Sequence, residues 1–365
     1  MKKLIVRNAM VIPMLEEPVI INPGHVVVEN GQIVHVGRDL SPEQLEGAEI
    51  LDAKGQVLMP GIINAHTHLY QVLLRGVWED LTLIPWLRKV YHTATVLHPD
   101  DCRYGGTLGS VEALLSGVTT VCEHHFLNPT IDHTRSTIEG MVSTGIRAIM
   151  ARTVMNDGEL APDCVLESSD AAFKQIETLM SEFRQHRETG LLRFATGPNT
   201  PPITTTSELV RDIVQFSKQA GIGISSHVAE SRTVVEDVRT RFGFEGVVEY
   251  LYDLGLVNES AVFAHCVHLN DKDISLMAAT GASVSHNPVS NMFLGDGVAR
   301  VIDMLKAGVN VALGTDGAAS NHSQDMFETM KVASLLQRVA HEDPSVIVPY
   351  QVLRMATVGG ARALG

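Results

Sequence analysis

From residue 61 onward, short apolar runs alternate with amphipathic stretches of ten to twenty residues, the texture of repeated βα units. The runs are GIINAHTH (61–68), VTTVCEHH (118–125), RAIMARTV (147–154), LLRFATGPN (191–199), GIGISSHVAE (221–230), AVFAHCVHL (261–269), ASVSHNP (282–288) and NVALGTDG (310–317). Eight such strands with helices between them, over about 300 residues, are what a (β/α)8 TIM barrel requires. A doubly wound open sheet is the competing α/β arrangement, but its first strand would usually end in a GxGxxG turn. Here the first run ends in His66-Thr67-His68. The first 60 residues show no helical period. They read as short β segments, with Asn30-Gly31 as a hairpin turn and a second turn at Lys54-Gly55.

Polar residues gather at the C-terminal ends of the runs: His66, His68, His124, His125, Arg152, Asn199, His227, Glu230, His265, His286 and Asp316. In a barrel those ends converge on the face that carries catalysis. Histidines that merely fill a core would not favour one end. The composition narrows the chemistry further. A net charge of −14 argues against a nucleic-acid or anionic-membrane partner, because both need a basic face. Four cysteines with no CxxC pair argue against a disulfide framework or a cysteine zinc knuckle. No apolar run approaches the ~18 residues of a membrane span, and the basic tip of the chain lacks a cleavage site. A cytoplasmic protein is expected.

In a strand, residues i and i+2 point the same way, so His66 and His68 project together into the barrel mouth. Alone, an HxH pair is as readily two hydrogen-bonded core histidines. With His227 from the fifth run and Asp316 from the eighth it becomes three nitrogens and one carboxylate, a ligand set for one divalent ion that leaves room for water. Such a set suits zinc first and iron(II) second. Glu230, three residues past His227, is expected just beyond its strand end as a proton shuttle, and His265 near the reacting atom.

At this point the sequence resembles the amidohydrolase superfamily, in its metal-dependent aminohydrolase branch of methylthioadenosine/S-adenosylhomocysteine deaminases, guanine-type deaminases and s-triazine hydrolases. The matching pieces are PGIINAHTHL (60–69), LLRGVWEDLTLIPWL (73–87), SSHVAES (225–231), AHCVHL (264–269), SHNPVSNMFLGDG (285–297), GTDGAASN (314–321) and MATVGGARALG (355–365). The resemblance implies His66, His68, His227 and Asp316 as metal ligands, Glu230 as general acid/base and His265 as the histidine that orients the attacking water. Asn199 stands where binuclear relatives carry a carboxylated lysine, which implies one metal ion. It also implies a barrel over 59–365 and, over 1–58, the N-terminal part of a small β-sandwich whose C-terminal half is expected to be missing from this chain. The family is commonly dimeric or larger, so a homo-oligomer is compatible with it.

The implied reaction is hydrolytic deamination: a hydroxide on the metal attacks the amidine carbon of a small N-heterocycle, a purine, pterin, pyrimidine or s-triazine, while Glu230 protonates the ring and Asp316 helps to generate the nucleophile. Methylthioadenosine/S-adenosylhomocysteine deaminases carry a ribose-binding glutamate nine residues after their tryptophan. Here that position, counted from Trp86, is Thr95, and Asn199 replaces the fourth-strand histidine. Both departures demote a nucleoside to an alternative, because a buried diol left unpaired is costly. A triazine chlorohydrolase or alkylaminohydrolase is a second alternative, and a catalytically inactive binding barrel a third. Expected substrate contacts are Arg152, Asn199, Glu123, His124 and Trp86; Glu123 and His124 are equally readable as supporting hydrogen-bond groups, while Trp86 and Phe126 read first as packing residues and only second as stacking surfaces. Met292-Phe293-Leu294 is expected on the apolar wall of the pocket, and His268 and His322 outside it.

Overall fold

The computed structural model describes residues 3–365 and divides into two units, one ending at Gly61 and the other running from Ile62 to Gly365. In the first unit, β1 (Lys3–Val11), β2 (Ile21–Glu29), β3 (Gln32–Gly37) and β4 (Glu49–Asp52) form a sheet in the order β3-β2-β1-β4, and β5 (Val57–Leu58) also pairs with β1. The β2–β3 hairpin turns on Asn30 and Gly31, whose φ angles of 51° and 81° are those a type I′ turn demands. The Lys54-Gly55 turn joins two strands that both run parallel to β1 and do not pair with each other, so it makes no second hairpin. Ala9, Val11, Val26 and Ala53 form the buried core of this unit, while Ile33, Val34, Ile50 and Leu51 are exposed.

The second unit is the expected barrel. Its strands are β6 (Ile62–Thr67), β7 (Val118–His125), β8 (Arg147–Val154), β9 (Leu192–Pro198), β10 (Gly223–Val228), β11 (Ala261–His265), β12 (Ser283–His286) and β13 (Val311–Leu313). They pair in that order, each parallel to the next. The ring closes at the mouth, where the Asp316 N–H donates to the His66 carbonyl at 3.0 Å and the Thr315 N–H to Asn64 Oδ1 at 3.1 Å. Glycine at 314 permits that approach, since a Cβ there would lie 2.7 Å from the His66 carbonyl oxygen.

Strand alternation decides which residues see the interior. Cys122, Ile149, Ala151 and Ala195 pack together within the barrel. Val154, on the opposite face of β8, packs instead on Ala172 of the helix Ser169–Glu182 and on Leu209 and Ile213 of the helix Ser207–Ala220. Near the mouth, the helix Leu83–His92 buries Leu83, Trp86, Leu87, Val90 and Tyr91, an i, i+3, i+4, i+7, i+8 stripe. That stripe packs on Phe126, Met155, Ala161 and Val165. Among the described residues, no helix is long and apolar enough to cross a membrane.

Candidate metal centre

Four strand ends deliver the centre. Single ligand atoms of His66, His227, His265 and Asp316 all lie within 4.8 Å of one another, and all four residues are buried. His68 joins them: its Nε2 is 3.1 Å from Asp316 Oδ1 and 3.3 Å from His227 Nε2, while His66 Nε2 is 3.3 Å from the same carboxylate oxygen. The turn that aims Asp316 requires φ of +61°, and His265 sits at +73°, both uncommon for residues with a Cβ.

Second nitrogens set the character of the first. His68 Nδ1 lies 2.6 Å from the His124 carbonyl and His227 Nδ1 lies 2.9 Å from the Asn199 carbonyl. A carbonyl only accepts, so each Nδ1 carries the proton and each Nε2 presents a bare lone pair. Two lone pairs facing each other at 3.3 Å repel unless a cation sits between them. His66 Nε2 and Asp316 Oδ1 are likewise buried without a hydrogen-bond partner. A divalent ion is the group that all these atoms accept at once, so the donor set fits a metal. Asp316 Oδ2 is held separately, by the hydroxyls of Ser290 at 2.6 Å and Ser320 at 3.0 Å.

Electrostatics sort the remaining groups. Burial would raise the Asp316 carboxyl, but the His66 and His68 imidazoles packed against it outweigh that and hold Asp316 well below the usual carboxylate range. Glu230 moves the other way: burial, then the charges of Asp296 and Asp316, push its carboxyl well above the usual range. One buried acid is therefore ionised and another is neutral at the same site, the division of labour that acid–base chemistry needs. Burial lowers His66 to about 4 and His265 to about 3, which keeps both imidazoles neutral.

A narrow cavity opens onto these groups. Leu83, Trp86, Leu87 and Phe126 make its apolar wall, and Gln71, Tyr91 and Thr200 add polar groups beside Glu230, His265 and Asp316. The Trp86 indole N–H and Gln71 Oε1 are buried without partners, which leaves both free for a ligand. A larger hollow lined by Phe194, Lys218 and Leu364 contains none of the metal-capable cluster, so the chemistry belongs to the smaller one.

Several expected substrate contacts lie elsewhere. Arg152 points outward from β8, on the face of Val154, and its guanidinium meets Glu167 at 2.7 Å and Gln175 at 3.0 Å. Glu123 also faces away from the mouth, accepting the Leu69 N–H at 2.6 Å and contacting His125 Nδ1 at 3.3 Å. His124 faces inward but lies outside the cavity lining, with both ring nitrogens engaged, by Ser225 at 2.9 Å and Asn199 at 3.1 Å. Asn199 does line the cavity, yet its amide is already used: Nδ2 donates to Tyr91 Oη at 2.8 Å and Oδ1 faces His124. Met292 is 54% exposed, and Phe293 and Leu294 pack behind the wall. Thr95 is exposed and bonds back to the His92 carbonyl. His268 Nε2 is held by the Asp296 carbonyl at 2.7 Å, and His322 stands 3.7 Å from Glu79.

Sequence reading missed Tyr91, Gln71, Thr200, Ser290, Ser320 and Asn291. Tyr91 carried one available signal, its place on the buried stripe of an amphipathic helix that also holds Trp86.

Residues 57–365 match the model of a family described as the Amidohydrolase family. The chain is 37% identical over 366 residues to a 5-methylthioadenosine/S-adenosylhomocysteine deaminase of Desulforudis audaxviator, an alignment covering 100% of this chain and 80% of that protein. Among solved structures it superposes with a TM-score of 0.90 on a zinc-bound adenosine deaminase from Xanthomonas campestris, 30% identical, covering 100% of this chain and 80% of the other. It superposes with a TM-score of 0.92 on the zinc complex of atrazine chlorohydrolase from Arthrobacter aurescens, 26% identical, covering 99% and 83%.

Proposed function

The chain belongs to the amidohydrolase family, as a hydrolase of C–N bonds in cyclic amidines, and from that premise we propose that it deaminates an adenine-type ring with one zinc ion. One observation carries the reading: bare imidazole nitrogens and the ionised Asp316 converge beside the neutral Glu230, in a single cavity with an apolar wall. In this reading His66, His68, His227 and Asp316 hold the ion, which when bound supplies Lewis acidity and an acidified water.

The protein's own groups do the rest. Glu230, whose carboxyl burial pushes well above its usual range, donates its proton to a ring nitrogen next to the amino-bearing carbon and so makes that carbon electrophilic, an effect typically worth about 10²- to 10⁴-fold. Asp316, kept ionised, is the anion placed to take the proton of the attacking water and to return it to the amino group as the C–N bond breaks and ammonia leaves, and His265 donates toward the reacting centre. Leu83, Trp86 and Phe126 exclude bulk water and flank a planar ring. The barrel over 59–365 is the proposed catalytic body, with a small heterocyclic molecule as its ligand. The four free cysteines are in keeping with a cytoplasmic location.

The deaminase relative moves adenosine derivatives ahead of free bases, although the exposed Thr95 offers a ribose nothing. Release of ammonia from methylthioadenosine, S-adenosylhomocysteine, adenosine, guanine and pterins by the zinc-loaded protein tests this. Turnover of an adenosine derivative is expected, and inertness toward every ring would leave only a binding barrel. Likeness to the atrazine chlorohydrolase favours one second reading, dechlorination of a triazine, which chloride release from atrazine would reveal.

A further inference from the structure

We infer that Asn291 fixes the tautomer of His265, so that this fourth imidazole offers the centre a proton at Nε2 instead of a lone pair. The inference rests on the metal-site reading above. Distance alone does not separate His265 from the ligands: its ring centroid is 5.6 Å from that of His66 and 5.3 Å from that of His227. The difference lies in what faces the other nitrogen.

His68 and His227 each turn Nδ1 toward a carbonyl, an acceptor. His265 turns Nδ1 toward Asn291 Nδ2, a donor, at 2.9 Å. An N–H pointing at Nδ1 requires a lone pair there, and a neutral imidazole then carries its single proton on Nε2. Asn291 has a reason to present its nitrogen, because the same Nδ2 is 3.4 Å from Asp296 Oδ2, and a reversed amide would set oxygen against carboxylate. The residue is 1% exposed and its backbone is pinned, the N–H donating to the Asn287 carbonyl at 3.1 Å and the carbonyl accepting the Asp296 N–H at 2.8 Å. Glu230 Oε1 stands 3.6 Å from His265 Nδ1, beyond hydrogen-bond reach, and does not compete.

His265 Nε2, buried and unpartnered, is thus a donor aimed at the reacting centre and unable to bind an ion. Three histidines and Asp316 remain as ligands, and a position stays open. Asn291 acts as a positioning residue, through His265.

The test uses the zinc-loaded protein labelled with ¹⁵N-histidine. The His265 cross-peaks in a long-range ¹H–¹⁵N spectrum should show the Nε2–H tautomer. The exchange N291D/D296N keeps the charge count while reversing the hydrogen bond's direction. It should move the proton to Nδ1, slow zinc loss to a chelator at least tenfold as Nε2 becomes a fourth nitrogen donor, and lower turnover at least tenfold. An Nδ1–H tautomer in the wild type, or an unchanged Nε2–H tautomer in the folded exchange variant, overturns the inference. Should the exchange variant not fold, N291A takes its place: loss of the Nε2–H preference supports the inference, and an unchanged tautomer refutes it. The spectrum reads the tautomer whatever the substrate, so a protein inert on every ring would sink the proposed reaction and leave this result standing.

Discussion

The Asn199 side chain donates to Tyr91 Oη at 2.8 Å while its own backbone carbonyl faces His227 Nδ1 at 2.9 Å, so one residue braces both the cavity wall and a metal ligand. The two jobs use different atoms and are separable. Asn199→Ala keeps the carbonyl and is expected to retain zinc, while leaving His124 Nε2 without a partner and Tyr91 Oη without its Asn199 donor, at a cost of about 2 kcal/mol. Tyr91→Phe should keep fold and zinc and raise KM about tenfold, the value of one hydrogen bond. Metal analysis and kinetics on the two variants check this, and loss of zinc from Asn199→Ala would contradict it.

Glu230→Gln mimics the neutral acid in shape and cannot deliver its proton. Turnover should fall by about 10² or more. Zinc content should not change, and the thermal midpoint should hold or rise, since a carboxyl near Asp296 and Asp316 is removed. Zinc lost from this variant would mean that Glu230 is a ligand.

Arg152 lies outside the cavity, so its replacement is a matter of stability. Arg152→Met strands the Glu167 carboxylate, whose partner is gone, and should cost about 3–5 kcal/mol in denaturant unfolding. KM of the folded fraction should be unchanged. A KM increase with unaltered stability would put the guanidinium back at the substrate.

Asp273 supplies a pH test away from the metal. Burial raises its carboxyl to about 6, against partial relief from the Glu249 and Asn270 backbone N–H groups. The folded state therefore holds the proton more tightly than the unfolded chain. The corresponding stability is fully present below pH ~4 and is lost as pH rises through ~6, by roughly 3 kcal/mol. Urea midpoints at pH 4.5, 5.5 and 7 should fall for the wild type and fall less for Asp273→Asn. Parallel curves would refute the assignment.

Much of the barrel was legible because its strands are short apolar runs with polar ends, and because a parallel ring sends all those ends to one face. The same logic placed His66, His68, His227, His265 and Asp316 together. It failed where direction mattered more than position. Ala151 and Arg152 are neighbours near the end of one run, yet a pleated strand turns one inward and the other toward the helix Ser169–Glu182. Asn199 occupies a strand end as expected, but its amide is claimed by Tyr91, 108 residues away in sequence.

The sequence by itself determined the architecture, the ligand types and the net charge of −14, because periodicity and composition are local or additive properties. Tertiary structure decided which nitrogen of each imidazole is bare, which acid is neutral, and which polar groups remain free for a ligand. Those outcomes depend on hydrogen-bond partners and burial that the folded chain brings from distant segments, as when the carbonyl of Asn199 meets His227 and the amide of Asn291 meets His265.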